Sequence, residues 1–272
     1  MYLVISPLRV GFVVDEFSDG DPELRARRAV SFGGNAAAYA EERPDYPVAA
    51  VRWALEPVAD RRPLRVLDLA AGTGKLTGVL LRSGVDVANL VAVEPDPAML
   101  AELRRRLPQV RAVEGAAERI PLGDGTVDAV VVGQAMHWFD LDRALPEIHR
   151  VLADGGVLAG LWNTDDDRVP WVAEMRRVSR SGVPSVGDGL KPLDLGEWFP
   201  GFERADFPHA QRRTAESMAA TVGTHSRVLV LDDAERAAVM ARLLGYLRAT
   251  PETEGEFDLP IVTLTVRARR AG

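Results

Sequence analysis

The chain has no cysteine among its 272 residues. Disulfides, thiolate metal ligands, iron–sulfur clusters and cysteine nucleophiles are therefore all excluded. Positive charge is also in the minority, with 33 basic against 40 acidic residues and a net charge of −7. The broad cationic field that non-specific nucleic-acid binding requires is missing. We therefore expect no nucleic-acid partner.

Long apolar runs are missing as well, since no stretch approaches the roughly 20 residues of a membrane-spanning helix. The apolar segment 1–14 lacks a leading basic region, and acidic Asp15 and Glu16 follow it, which is not typical of a signal peptide. These features predict a cytoplasmic protein without a membrane span. They do not predict an oligomeric state.

Hydrophobic residues make up 47% of the chain, enough for a sizeable core. Short Val- and Leu-rich runs alternate with helical stretches between residues 64 and 163, which is the pattern of βαβ units and a parallel sheet. The predicted strands are 64–70, 89–94, 110–114, 127–133, 157–163, 202–209 and 259–269. A mostly helical connection, with one helix at 235–249, separates the last two. The pattern predicts a Rossmann-like α/β fold, with a doubly wound, seven-stranded, mostly parallel sheet, a final antiparallel strand and a helical insertion or cap.

Two helices between the predicted strands have clear boundary signals. Asp96 is placed to cap a helix that starts at Pro97. Asp140 precedes a second helix, which the pair Gly155–Gly156 is expected to end.

The sharpest motif is VLDLAAGTGKLT at 66–77, where an apolar strand runs into a glycine-rich turn and then a helix. Gly72 and Gly74 let the backbone turn tightly and approach a ligand. A triphosphate-binding loop is disfavoured because leucines stand at positions 69 and 76, where glycine and Ser/Thr are needed. A dinucleotide-binding loop is disfavoured because position 77 is threonine and because Asp68 would repel a diphosphate.

Glu94 ends the second predicted strand, 22 residues after Gly72. A carboxylate at this point is placed to accept hydrogen bonds from both hydroxyls of a ribose. Asp68, the Gly-x-Gly turn and Glu94 together describe an adenosine-binding site without a diphosphate.

These residues resemble the S-adenosylmethionine site of class I methyltransferases. The stretch PLGDGTVDAVVVGQAMHWFD and the helix LPEIHRVLADGG resemble the segments that follow in that family. Within the family, QAMHWF and the entry segment FGGNAAAYAEERPDYP (32–47) resemble ubiquinone/menaquinone-type and trans-aconitate-type small-molecule methyltransferases. The resemblance covers residues 32–163 and, more loosely, 200–270.

The resemblance implies S-adenosyl-L-methionine as the cofactor and S-adenosyl-L-homocysteine as its product. The implied cofactor-binding residues are Tyr39, Arg43, Asp68, Ala70, Gly72, Gly74, Glu94, Pro95, Met99, Ala117, Glu118 and Gln134. Two positions depart from the family pattern. Ala70 replaces a glycine, which is tolerable if its φ is negative, and Ala116 replaces an aspartate near the adenine.

On the acceptor side, the resemblance places His137 and Trp138 beside the transferred methyl group. His137 is either a general base or a positioning residue. Trp138 and Trp162 are expected on the substrate side of the site.

The other histidines and acidic clusters have plainer interpretations. His149 is expected to be structural, and no partner is recognisable for His209 or His225. The acidic run 165–167 is more typical of a solvated loop than of a metal site, so we expect no metal.

The resemblance implies methyl transfer to a small-molecule acceptor, with O-methylation, for example of a carboxylate, favoured over C- or N-methylation. The implied organisation is an N-terminal arm or lid at 1–46 and a methyltransferase domain at 47–272, with a cofactor half at 60–163 and an acceptor-side insertion at about 164–230. Two alternatives stay open. One is a protein that binds the cofactor without transferring methyl, and the other is a nicotinamide-dependent oxidoreductase.

Overall fold

The computed structural model describes residues 44–179, 195–223, 228 and 231–272. Seven strands in these residues form one sheet with the order β3-β2-β1-β4-β5-β7-β6. The strands are β1 (Val66–Leu69), β2 (Leu90–Glu94), β3 (Arg111–Glu114), β4 (Val127–Gly133), β5 (Leu152–Asp165), β6 (Glu203–Thr214) and β7 (Glu256–Arg269). The helices are α1 (Val48–Leu55), α2 (Lys75–Ser83), α3 (Pro97–Arg106), α4 (Leu141–Val151), α5 (Pro170–Val178), α6 (Ala215–Gly223) and α7 (Asp233–Ala249). Single 3-10 turns occupy Glu56–Val58, Val87–Asn89, Met136–Trp138 and Pro251–Thr253.

Strands β1 to β5 are parallel, and β7 is antiparallel to both of its neighbours, β5 and β6. The predicted fold class is therefore confirmed, including the antiparallel last strand. The chain moves outward from β1 through β2 to β3 and then returns to place β4 on the other side of β1. Ligands of open α/β sheets bind at such a reversal, beyond the carboxyl ends of the strands. The crevice beyond the ends of β1 and β4 is thus the place to look for a site.

Helices cover both faces of the sheet, which explains why the central strands are apolar almost throughout. On one face, Leu67 and Leu69 of β1 belong to a cluster with Ile148 of α4. On the other face, Val66 belongs to a cluster formed with α1 and α2. A third cluster joins α5, α6 and α7 to the far part of β7. No helix in the described part of the chain is both long and apolar enough to cross a membrane.

The predicted helix boundaries are right at one helix and wrong at the end of the other. Asp96 accepts hydrogen bonds from the amides of Ala98 and Met99 at 2.8 and 2.9 Å, which confirms the cap of α3. Helix α4 begins directly after Asp140 but ends at Val151, before the glycine pair 155–156.

The early end of α4 is explained by the sheet, because Leu152 already pairs with Val127 of β4. The next pair is Val157 with Ala129, so β5 advances five residues while β4 advances two. The extra residues of β5 form a bulge, and Gly155 lies in it with a φ of 65°. The glycine pair therefore shapes the strand rather than ending the helix.

Candidate active site

The loop that follows β1 has an unusual backbone. Ala70, Gly72 and Gly74 have φ values of 56°, 56° and 84°. The condition of a negative φ, under which alanine is tolerable at this position, is therefore not met, and the alanine adopts a left-handed conformation that costs about 1 kcal/mol. Backbone strain of this kind is typical of functional sites, where the surrounding structure holds the loop in place.

The two glycines of this loop meet different surroundings. A Cβ atom added at Gly72 would have no atom within 4 Å, so the backbone there borders open space. A Cβ atom added at Gly74 would lie 3.1 Å from Leu103 and from Leu107, at the end of α3. Gly72 therefore leaves room for a ligand, whereas Gly74 lets the loop pack closely against the next helix.

Asp68 lies at the base of the loop, completely buried in β1. Its Oδ2 accepts a hydrogen bond from the Thr77 hydroxyl at 2.6 Å, which explains why threonine stands where a dinucleotide loop has glycine. Its Oδ1 has no hydrogen-bond partner among the described residues, and neither does the hydroxyl of Thr73. Burial raises the pKa of Asp68 to about 7. The hydrogen bond from Thr77 partly opposes this rise, and the negative charge of Glu94 adds to it.

Glu94 connects the ends of two strands. Its Oε2 accepts from the amide of Gly72 at 2.8 Å, and its Oε1 accepts from the amide of Asp96 at 2.9 Å. Burial raises the pKa of Glu94, while these two backbone hydrogen bonds oppose the shift. Each carboxylate oxygen has a second lone pair, so both can still accept a hydrogen bond from a ligand hydroxyl.

Gln134 follows β4, the neighbour of the strand that leads into Ala70. It is the second non-glycine residue with a positive φ, 55°, among the described residues. Its Nε2 donates to the backbone carbonyl of Asn163 at 2.9 Å. The two strained residues therefore stand at the carboxyl ends of neighbouring strands, at the point where the strand order reverses.

The residues expected around the adenine lie along the β2 and β3 side of the crevice. Met99 is buried in α3, and Pro95 is exposed just before that helix. Ala117 is buried, and Glu118 Oε1 accepts a hydrogen bond from the amide of Asp140 at 2.9 Å. Glu118 thereby joins the segment after β3 to the start of α4.

On the acceptor side, the expected residues fall in two places. His137 and Trp138 share a 3-10 turn just after Gln134, with ring centroids 5.0 Å apart. Trp162 packs over Gly160 and against the apolar cluster that contains Leu67 and Ile148. Its buried indole N–H has no hydrogen-bond partner in the described part of the chain. Tyr39 and Arg43 lie outside the described residues.

Residues 44–46 belong to the predicted entry segment, but the sequence analysis did not identify the contacts of Asp45. The Asp45 carboxylate lies 2.8 Å from Arg82 Nη2 and 3.7 Å from Lys75 Nζ, both on α2. Tyr46 covers the end of β4, since a Cβ atom at Gly133 would lie 2.7 Å from its hydroxyl oxygen. The resemblance pointed to the entry segment but not to Asp45, because ion pairs with α2 have no signature in the local sequence.

His149 and His209 both have hydrogen-bond partners in the described part of the chain. His149 Nε2 lies 3.2 Å from the Ala271 carbonyl and its ring packs edge-on against Trp198, in keeping with a structural role. The expectation that His209 has no partner is wrong, because its Nε2 lies 2.9 Å from the Thr263 hydroxyl. His225 lies outside the described residues.

Two of the three aspartates in the acidic run 165–167 form ion pairs with arginines. Asp166 pairs with Arg168 at 2.7 Å, and Asp167 pairs with Arg176 at 2.6 Å. Within the described ranges, no three carboxylate or histidine side chains are grouped as metal ligands would be.

The chain is similar to several known proteins along most of its length. A family model described as a methyltransferase domain matches residues 67–160. An uncharacterized methyltransferase of Mycobacterium tuberculosis is 42% identical over 250 residues, which is 91% of this chain and 98% of that protein. An uncharacterized methyltransferase-like protein of Schizosaccharomyces pombe is 32% identical over 240 residues, which is 87% of this chain and 93% of that protein.

One solved structure shares both the fold and part of the sequence. It is a candidate type II methyltransferase from Anaeromyxobacter dehalogenans, 26% identical, with a TM-score of 0.60, and the match covers 84% of this chain and 97% of that chain. With the seven-stranded sheet and the glycine loop already described, these similarities mean that the chain belongs to the class I S-adenosylmethionine-dependent methyltransferases.

Proposed function

We propose that the crevice beyond β1 and β4 holds S-adenosylmethionine and that the acceptor is a small molecule, methylated on oxygen. The observation that carries the cofactor site is the buried Asp68 carboxylate, whose Oδ1 has no hydrogen-bond partner in the described part of the chain. A buried carboxylate oxygen without a hydrogen-bond partner is costly unless a ligand completes it. S-adenosylmethionine carries a positively charged ammonium and sulfonium, which match this need.

The residues of the crevice fit the parts of the cofactor in order. Asp68 and the Ala70–Gly74 loop would hold the methionine end, where Gly72 borders open space. Glu94 would accept hydrogen bonds from the ribose hydroxyls with its two remaining lone pairs. The adenine would lie between Pro95, Met99, Ala117 and Glu118, and Gln134 would border the methionine end from β4.

The bound cofactor supplies an activated methyl group, and the chain supplies position and a dry environment. Tyr46 and the 3-10 turn with His137 and Trp138 would border the acceptor side and exclude water. A dry site favours the reaction because the positive sulfonium charge disappears as the methyl group leaves.

We further propose a carboxylate as the methylated group. A carboxylate is already ionised near neutral pH, so its methylation needs no general base. His137 would then position the acceptor rather than remove a proton. The net charge of −7 speaks against a nucleic-acid acceptor.

The cofactor site can be tested with a matched pair of variants. Glu94 and Glu114 occupy the same register on adjacent strands, but Glu94 is buried and Glu114 is exposed. We expect Glu94→Gln to weaken S-adenosylmethionine binding by about tenfold to a hundredfold, the loss of one hydrogen bond to a charged group. Isothermal titration calorimetry measures the affinity. Glu114→Gln should bind like the unmodified chain, and equal affinity in all three proteins would contradict the site.

The function can be tested by titration and by a methyl-transfer screen. We expect binding of S-adenosylmethionine and S-adenosylhomocysteine but not of NAD, and release of S-adenosylhomocysteine with a carboxylate from a panel of carboxylates, phenols and quinols. Release with phenols or quinols alone would contradict the carboxylate proposal. Cofactor binding without any release would favour a binding protein, and preference for NAD would favour an oxidoreductase.

A further inference from the structure

Three polar side chains lie side by side on three neighbouring strands near the carboxyl edge of the sheet. Asn163 of β5 pairs in register with Thr263 of β7, which pairs with Phe207 of β6. His209 is two residues further along β6 than Phe207. Since side chains alternate between the faces of a strand, Asn163, Thr263 and His209 project from the same face.

The hydrogen bonds of this group have a fixed direction. Asn163 Nδ2 donates to the carbonyls of Pro44 and Asp45 at 3.3 and 3.2 Å, so its Oδ1 is the atom that faces Thr263. The Thr263 hydroxyl donates its only hydrogen to that Oδ1 at 2.5 Å. His209 Nε2, 2.9 Å from the same hydroxyl, must therefore be the donor.

This direction assigns the tautomer of His209. With the hydrogen on Nε2, the other ring nitrogen, Nδ1, has a free lone pair. Burial lowers the pKa of His209, which favours the neutral ring. Within the described ranges Thr263 is the only hydrogen-bond partner of the ring, and the ring is only half-buried. Nδ1 is thus a hydrogen-bond acceptor that the described protein leaves available.

The position of His209 relates it to the crevice. The group of Asn163, Thr263 and His209 begins beside the crevice, because Gln134 donates to the backbone carbonyl of Asn163. From Asn163 the group extends across β7 to β6. Three strand spacings separate β4 from β6, about 14 Å in total. His209 also lies between two apolar clusters, with Phe207 in one and Ile261 in the other. A small molecule whose reacting atom lies beside Gln134 could therefore reach His209 with its far end.

We propose that His209 Nδ1 recognises the methyl acceptor by accepting a hydrogen bond from a hydroxyl or N–H group at the end remote from the methylated atom. The proposal rests on the proposed function and narrows its substrate class to acceptors with a second, protic group. A neutral imidazole lone pair rejects a carboxylate or an ether there, because neither brings a hydrogen to share. Asn163 and Thr263 act through His209 by fixing its tautomer.

The tautomer can be measured without an acceptor, by ¹⁵N NMR of the histidine rings in the full chain. The resonances missing from the His209→Gln spectrum identify His209. We expect an unprotonated Nδ1 and a protonated Nε2. Thr263→Val removes the hydroxyl that accepts from His209 Nε2. The variant should show no preference for protonation at Nε2, and its circular dichroism spectrum should stay that of the folded chain. A protonated Nδ1 in the unmodified chain would overturn the proposal.

The recognition can be measured with phenol and anisole, which differ by the hydroxyl hydrogen and one methyl group. We expect phenol to shift the Nδ1 resonance of the chain saturated with S-adenosylhomocysteine, whereas anisole leaves it in place. In His209→Phe, the dissociation constant of phenol should rise about tenfold and that of anisole should stay the same. Equal responses to the two probes, or no response to either, would overturn the proposal. Failure of the proposed function would appear separately, as absence of S-adenosylhomocysteine binding in calorimetry.

Discussion

Asp68 combines complete burial with a single hydrogen bond, and this combination controls how its charge affects stability. Its pKa rises from 3.8 to about 7 because burial disfavours the ionised form. The folded chain therefore retains a proton that the unfolded chain loses between these values. The contribution of Asp68 to the free energy of unfolding is therefore fully present below pH 3.8 and is lost as the pH rises toward 7. A bound cation would offset this loss, which couples cofactor binding to the ionisation of Asp68.

Asp68→Asn removes the ionisation and should make the stability less dependent on pH. Between pH 4 and pH 8, the unmodified chain should lose up to about 4 kcal/mol of unfolding free energy relative to the variant, from a pKa shift of about three. Urea unfolding of both proteins without cofactor measures the difference. The variant should also bind S-adenosylmethionine weakly. A stability difference that is the same at both pH values would contradict the assignment.

Ala70 adopts a backbone conformation that glycine would adopt without strain. We expect Ala70→Gly to raise the free energy of unfolding by up to about 0.5 kcal/mol, because the relief of the left-handed strain exceeds the added flexibility of the unfolded chain. Ala101 is an exposed alanine within α3, and Ala101→Gly should lower the stability by about 1 kcal/mol. Thermal unfolding shows whether each substitution raises or lowers the stability. Destabilisation by both substitutions would argue against strain at Ala70.

Strand β4 has different roles at its two ends. Its carboxyl end borders the crevice, whereas its amino end carries Asp128, which is 2% exposed and bound by two arginines. Asp128 Oδ1 lies 2.8 Å from Arg61 Nη1 and from Arg65 Nη2, and Oδ2 accepts from the amide of Arg65 at 2.9 Å. Burial alone would raise the pKa of Asp128, but the hydrogen bonds from Arg65 and Arg61 outweigh it and lower the pKa to about 2.

The lowered pKa means that Asp128 stabilises the fold above pH 3.8 and that this contribution is lost as the pH falls through about 2. At neutral pH, Asp128→Asn should cost about 2–4 kcal/mol of unfolding free energy, because it leaves the arginines without their buried partner. Urea unfolding measures this loss. The affinity for S-adenosylmethionine should be unchanged, since the substitution lies at the opposite end of the strand from the crevice. A parallel loss of affinity would show that the two ends are coupled.

At the scale of the whole sheet, the residues proposed for the cofactor and those proposed for the acceptor lie along one edge. Strands β1, β2 and β4 carry Asp68, Glu94 and Gln134 to the crevice, and the long β6–β7 pair carries His209 and Thr263 to the same edge several strands away. The segment 44–46 connects the two, because Asp45 contacts α2 and its carbonyl accepts from Asn163. Asn163 therefore contacts both Gln134 at the crevice and the segment 44–46.

Much of the architecture could be predicted from local patterns. The five parallel strands, the cap at Asp96 and the order of the late elements follow from hydrophobic period and from capping preferences, which depend on neighbouring residues. The end of α4 could not be predicted in this way. Gly155–Gly156 resembles a helix stop, but pairing between Leu152 and Val127 takes the chain into the sheet first.

The glycine loop and the carboxylates Asp68 and Glu94 predict an adenosine-binding site without a diphosphate, because their spacing along one βαβ unit is a local property, and the resemblance to class I methyltransferases implies which cofactor carries the adenosine. The φ of Ala70, the orphaned oxygen of Asp68 and the tautomer of His209 follow only from the folded chain. Asn163 and Thr263 are 100 residues apart and His209 and Thr263 are 54 apart, yet each pair shares a hydrogen bond. Contacts of that separation depend on strand register and packing, which no local pattern encodes.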